Sequence, residues 1–158
     1  MNKLYRQKEP GIPFTRNGYR KVQDEEKKLK SERPEAVENL RKAREMGDLS
    51  ENGYYKAARA RLSFLDSQIR RIERLVRLGT VVESAHSGQV EIGSRVLLSD
   101  GNREYEYMVV GGYESDPSEK TISHISPLGK ALMGKKINDT ATVIAPAGKK
   151  EFRILKII

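Results

Sequence analysis

Two carboxylates, Asp48 and Glu51, stand three residues apart in the stretch Gly47-Asp48-Leu49-Ser50-Glu51-Asn52. Carboxylates are hard oxygen ligands suited to Mg²⁺. A pair close enough to share one ion could hold it beside a substrate phosphate. There the ion would lower the pKa of a bound water and steady the charge that develops in phosphodiester cleavage. Two carboxylates do not complete a magnesium shell, so water or a partner must supply the remaining ligands. The same residues have a second use. Asp48 can cap a following helix while Glu51 reaches back to the cap's backbone amide, a capping box with aspartate in the serine position. Both acids also favour the positive end of that helix. Spacing alone supports capping better than catalysis, and the two roles are compatible. Arg44 precedes the pair, Lys56 and Arg59 follow it, and Lys42 is close by. These cations could guide an RNA 3′ end, neutralise the acids, or belong only to a helix surface.

Other catalytic schemes find little support. The chain has no cysteine, which removes disulfides and thiolate metal sites. His86 and His124 are not in a metal-ligand spacing and read as ordinary surface or loop residues. There is no Walker-type phosphate loop and no nucleophile elbow. Tyr54 could stack on a base, although a surface tyrosine is the simpler reading.

The elements that must position the acids are long helices. Residues 16–78 contain one proline, Pro34, and glycines only at 18, 47 and 53. Tyr55, Ala58, Leu62, Leu65, Ile69, Ile72 and Val76 alternate at spacings of three and four, a coiled-coil seam. Before the acids, Val22, Leu29, Ala36 and Ala43 recur every seven residues, with Tyr19, Glu26, Arg33, Leu40 and Gly47 interleaved. Thr15 is the expected N-cap of the first helix and Gly47 its expected end, and Pro34 should bend it. Helices joined by so short a turn must run antiparallel. Each arm, at roughly 27–31 residues, would be about 40–46 Å long. Asp24–Lys28, Glu26–Lys30, Glu38–Lys42, Asp66–Arg70 and Glu73–Arg77 are the expected surface ion pairs.

After Gly79 the pattern becomes short and β-rich. Residues 80–82, 94–98, 105–110, 141–144 and 152–157 read as strands, separated by turn signals at residues 100–102, 111–112 and 146–148. Ser126-Pro127 followed by residues 128–133 fits a short helix with serine as cap and proline at its first position. The expected fold class is α+β. Residues 1–79 form an antiparallel helical hairpin with its tip at about 47–52, and residues 80–158 form a small antiparallel sheet with one helix.

The formal net charge of +8 is unevenly placed. Residues 1–79 carry 20 Lys+Arg against 12 Asp+Glu, and residues 80–158 carry 10 of each, so the whole excess lies on the hairpin. A localised basic surface attracts polyanions, chiefly nucleic acid or an acidic protein face. No apolar run approaches the ~18 residues of a membrane span, and residues 1–15 lack an apolar signal core. A soluble cytoplasmic protein with no membrane partner is expected.

Several motifs in order resemble the bacterial Gre-type transcript cleavage factors. Phe14-Thr15-Arg16-Asn17-Gly18 is similar to that family's opening Leu-Thr-x-x-Gly, and Arg33-Pro34 to its Arg-Pro. The run from Ala43 to Asn52, with Tyr55, Ala57 and Ala58, resembles the tip signature. Val109-Val110-Gly111 with Glu114 and Asp116 resembles a second-domain signature. Ile122-Ser123, then Ser126-Pro127-Leu128-Gly129-Lys130-Ala131-Leu132-Met133-Gly134-Lys135, resembles a late motif. The resemblance implies a transcription elongation factor that binds RNA polymerase and passes its hairpin through the secondary channel. There it stimulates the polymerase's own cleavage of backtracked RNA, without being a nuclease itself. By position, Asp48 and Glu51 would share a transient Mg²⁺ with the polymerase. Arg44, Arg59 and Lys56 would contact the nascent RNA 3′ end. Ile125, Ser126 and Pro127 would lie in the polymerase-docking region of a globular domain resembling FK506-binding proteins. The free factor is expected to be a monomer with no stably bound cofactor. The chain departs from the family in its basic hairpin, in Ile125 where a polar or acidic residue is usual, and in Phe14 for leucine. The competing readings are a Gre-like inhibitor that occupies the channel, whose tip would carry extra acids, and a nucleic-acid-binding coiled coil whose binding falls with salt.

Overall fold

The computed structural model describes residues 11–46, 53–85, 87–145 and 148–158. Its elements are β1 (Ile12–Phe14), α1 (Arg16–Glu45), α2 (Gly53–Leu78), β2 (Gly79–Val81), β3 (Arg95–Ser99), β4 (Glu104–Val110), β5 (Thr121–Ser123), α3 (Pro127–Leu132), β6 (Thr140–Ala145) and β7 (Gly148–Ile157), with a short 3-10 turn at Pro117–Glu119 before β5. The chain divides into two units. One is Arg20–Leu78; the other is Gly79–Ile158 together with the described residues before Arg20. The change from helix to sheet falls at Gly79, as the sequence suggests. The residues up to Tyr19 nonetheless go with the sheet unit, because β1 pairs in parallel with β2, Ile12 facing Gly79 and Phe14 facing Val81.

In the helical unit the heptad positions meet as the periodicity requires. Ala36, Leu65 and Ile69 form one buried cluster with Leu29 and Leu62 against it. Leu40, Ala43 and Ala58 form another with Tyr55 and Leu62. Residue 30 pairs with 73 and residue 33 with 66, so the helices run antiparallel. One position departs from the expected seam. Leu75 is buried and Val76 only half-buried. At 3.6 residues per turn a strict three–four pattern drifts around the helix, so a neighbouring position comes to face the partner. α1 is assigned as a single helix of 30 residues through Pro34. Proline has no amide proton to give the carbonyl of Lys30, one turn earlier.

The second unit is a five-stranded sheet in the order β5-β4-β3-β7-β6. Three of its pairings are antiparallel, as expected from the short strands and turns. The fourth is parallel, Met108 opposite Thr121 through Val110 opposite Ser123. A tight hairpin reverses the chain, whereas the longer crossover between β4 and β5 lets the chain return in the same direction. Val90, Val96, Leu98, Val109, Leu132, Ala141 and Ile154 form the core, each fully buried. Alternation along β3 sends Val96 and Leu98 inward. Leu132 of α3 covers the same side. A fully buried side chain of this kind contributes about 1.5–3 kcal/mol by leaving water. The architecture is α+β. β1 and β5 are additional to the expected strands, and three residues are too few to establish a period.

Candidate functional site

The carboxylate pair lies between the two long helices. α1 ends at Glu45 and α2 begins at Gly53. Gly47, Asp48, Leu49, Ser50, Glu51 and Asn52 themselves fall outside the described residues, as does His86, so the proposed metal ligands, the capping box and the helix end at Gly47 carry no geometry. Arg44 sits in the last turn of α1, and Lys56 and Arg59 in the first two turns of α2; all three are exposed. Arg41 is engaged with Glu38 at 2.7 Å and with Glu45, and Lys42 reaches Glu38 at 4.0 Å. The hydrogen bond from Arg41 holds the Glu38 carboxyl below its usual range. Carboxylates near the end of α1 are therefore held by lysine and arginine of their own helix.

Further along the helices the ion pairs differ from sequence expectation. Glu26–Lys30 forms at 2.8 Å, but Asp24 reaches Lys27 rather than Lys28. Asp66 turns to Arg33 across the helix pair at 2.7 Å, and Glu73 turns to Lys30 at 2.9 Å. The hydrogen bonds that Lys30 donates to Glu26 and Glu73 push its ammonium above its ordinary pKa, and the bond Arg33 donates to Asp66 does the same for Arg33. Spacing shows which residues share a face; it does not show which side chains of the neighbouring helix lie nearer.

In the sheet unit two of the sequence motifs meet at one carboxylate. Thr15 caps α1 as expected, its hydroxyl oxygen accepting from the Gly18 amide at 3.0 Å. The Thr15 amide donates to Glu114 Oε1 at 2.8 Å, and the Thr15 hydroxyl donates to Glu114 Oε2. The Gly111 amide donates to the same Oε1 at 2.9 Å. In a capping box the acid that reaches back to the cap residue comes from the third helical position. Here that position is Gly18, and Glu114 supplies the carboxylate from 99 residues away. A side chain at either glycine would collide with the arrangement: a Cβ on Gly18 would overlap the Glu114 carboxyl group, and one on Gly111 would overlap the Pro13 carbonyl oxygen. Phe14, fully buried, packs between Tyr19 (centroids 5.9 Å apart) and Tyr113 (6.5 Å) beside this cap. Glu114 is a positioning residue that spacing does not reveal. Its only signal in the sequence is its place in the motif beginning at Val109.

The region expected to dock has a defined local structure. Ser126 is the N-cap of α3, its hydroxyl accepting from the Gly129 amide at 3.0 Å, and Pro127 occupies the first helical position. The serine hydroxyl is thus occupied within the chain, while Ile125 (55 % exposed) and Tyr113 (56 %) leave apolar surface beside it. His124 is a half-buried loop residue whose amide and ring both lie against the Val110 carbonyl oxygen, the amide at 2.9 Å. Among the described residues no group of three or more His, Cys, Asp or Glu side chains could hold a metal. No helix among them is long and apolar enough to cross a membrane.

A two-helix hairpin joined to a small mixed sheet, with the first helix capped by a carboxylate from the loop that follows β4, defines the class of chain. The model of the "Transcription elongation factor, N-terminal" family matches residues 12–81, and that of "Transcription elongation factor, GreA/GreB, C-term" matches residues 85–158. Transcription elongation factor GreA of a Nitratiruptor species is 39% identical over 149 residues, 92% of this chain and 91% of that protein. Transcription elongation factor GreA of Macrococcus caseolyticus is 41% identical over 142 residues, covering 87% and 90%. Among solved structures, the GreA factor homolog 1 of Thermus thermophilus aligns at 25% identity and a TM-score of 0.45, over 94% of this chain and 99% of that one. The chain belongs to the GreA/GreB family of transcription elongation factors.

Proposed function

We propose that this chain binds RNA polymerase, passes its hairpin through the secondary channel and stimulates the polymerase's own cleavage of backtracked RNA, rescuing arrested complexes. The observation that carries the reading is the placement of Asp48 and Glu51 in the short link between two antiparallel helices of 30 and 26 residues. At about 1.5 Å per residue these arms are roughly 39–45 Å long, and residues linking so long a pair are suited to delivery into a partner. The chain is not an enzyme by itself in this reading. Asp48 and Glu51 would supply two oxygen donors to a Mg²⁺ whose remaining ligands come from the polymerase; when bound, that ion would lower the pKa of a water and stabilise charge on the scissile phosphate. Arg44, Lys56 and Arg59 flank the link and would hold the RNA 3′ end. Ile125 and Pro127 give docking its surface, while Ser126 fixes the local turn. The basic balance of both arms distinguishes this reading poorly from plain nucleic-acid binding, but the acid pair separates them. With stalled elongation complexes, Asp48→Asn combined with Glu51→Gln should abolish stimulated cleavage while polymerase binding persists. Undiminished cleavage by the double variant would defeat the proposal.

A further inference from the structure

The turn between β3 and β4 brings two residues of complementary reactivity together. Asp100 and Gly101 are adjacent there, and both are exposed. Ser99 pairs with Glu104 at the end of the ladder, so residues 100–103 must reverse the chain. Gly101 lies at φ +90°, a left-handed conformation in which an L side chain is strained. The turn therefore demands glycine immediately after aspartate. A carboxyl group followed by glycine is open to attack from its own main chain, because glycine puts no side chain over the amide nitrogen. A Cβ at Gly101 would meet no heavy atom within 4 Å beyond its chain neighbours, so nothing else shields it.

The chemistry is an isomerisation. The Gly101 nitrogen bonds to Asp100 Cγ while the amide hydrogen and the carboxyl hydroxyl leave as water, closing a succinimide ring. Water then adds at one of the two ring carbonyls. Opening at Cγ restores aspartate. Opening at the main-chain carbonyl leaves an isoaspartyl link, with one extra carbon in the main chain. One water leaves and one returns, and no oxidant or co-reactant is needed.

The fold holds both partners in other bonds. Asp100 Oδ1 accepts from the amides of Asn102 and Arg103 at 2.9 and 2.8 Å, and Oδ2 accepts from the Tyr105 hydroxyl at 2.9 Å. The Gly101 amide donates to Ser99 Oγ at 3.1 Å. Only the protonated carboxyl can lose its oxygen as water. The amides of Arg103 and Asn102, with the Tyr105 hydroxyl, hold the Asp100 carboxyl below its usual range. The tyrosine is itself fixed, its ring stacked 6.4 Å from Tyr107 and edge-on to Phe152 at 6.0 Å.

We propose that Asp100 is an isoaspartate-forming site and that the Tyr105 hydroxyl restrains the reaction by occupying one of the carboxyl oxygens. Isomerisation would lengthen this turn by a main-chain carbon and undo the amide bonds that close it. The test incubates the full chain at neutral pH and cuts it with trypsin, which releases residues 96–103 between Arg95 and Arg103. Isoaspartate leaves the mass of that peptide unchanged, shifts its chromatographic retention and is labelled by an isoaspartyl methyltransferase. Deamidation of Asn102 changes the mass and is counted separately. The folded parent should isomerise more slowly than the same chain in urea. Tyr105→Phe keeps the ring and removes only the hydroxyl; it should raise the rate roughly twofold to tenfold, the range of one hydrogen bond. Tyr107→Phe should leave the rate unchanged. The proposal fails if the folded parent isomerises as fast as the chain in urea. It also fails if Tyr105→Phe is no faster than the parent, or if Tyr107→Phe speeds the reaction equally. No polymerase takes part, so each outcome leaves the cleavage reading standing.

Discussion

Removing the Glu114 carboxylate tests the long-range cap directly. Glu114→Ala takes away the acceptor of the Thr15 amide and the Gly111 amide, bonds of 2.8 and 2.9 Å, together with the partner of the Thr15 hydroxyl. Thr15 is 8% exposed and Gly111 is buried, so water replaces the lost acceptor poorly. A buried donor left without a partner costs about 1–3 kcal/mol. Two such amides, discounted because Glu114 itself is only half-buried, give an expected loss of about 2–4 kcal/mol. For a unit of this size that corresponds to roughly 10–20 °C in Tm. Glu114→Gln keeps one carbonyl oxygen able to accept from both amides, and its NH₂ can donate to the Thr15 hydroxyl oxygen, so it should cost only about 1 kcal/mol. Urea unfolding followed by near-ultraviolet circular dichroism reads the tyrosine-containing sheet unit; far-ultraviolet ellipticity reads the helices. The reasoning is refuted if Glu114→Ala stays within about 0.5 kcal/mol of the parent, or if Gln costs as much as Ala.

Other outcomes follow from the same structure. Leu65 is 1% exposed between Ala36 and Ile69, and Leu65→Ala should destabilise the hairpin by about 2–5 kcal/mol in denaturant melts. Tyr105 donates to Asp100 at 2.9 Å, which raises the phenol pKa, while backbone amides of Arg103 and Asn102 and that phenol lower the Asp100 pKa. A raised phenol pKa means that this bond is fully effective below the ordinary phenol range of about 10 and is lost as pH rises through the raised value. The depressed carboxyl makes its contribution above about pH 3.9, lost as pH falls through the lowered value. In an ultraviolet tyrosine titration, Asp100→Asn should bring one tyrosine back to lower pH. Arg44→Ala and Arg59→Ala should each reduce stimulated RNA cleavage while a polymerase pull-down remains unchanged; full cleavage would leave them as surface charge.

What the sequence determined was local and periodic. The seam of α2 could be read because a helix repeats every 3.6 residues and apolar side chains must lie on one stripe to be buried. The caps at Thr15 and Ser126 could be read because a hydroxyl satisfies amides two or three residues away. The tip acids could be recognised as a pair, with spacing favouring capping and the neighbouring motifs favouring metal. What the tertiary structure decided depended on groups far apart in the chain. Parallel pairing of β1 with β2 joins residues 12–14 to 79–81, and no local period announces it. Asp66 and Glu73 had partners within reach on their own helix, yet α1 placed arginine and lysine closer. Glu114 gives the clearest case: Thr15 and Gly18 already marked a helix start, but glycine at the third helical position left no side chain to bond the cap's amide. A carboxylate 99 residues further along the chain supplies that bond, and only the folded sheet brings it there.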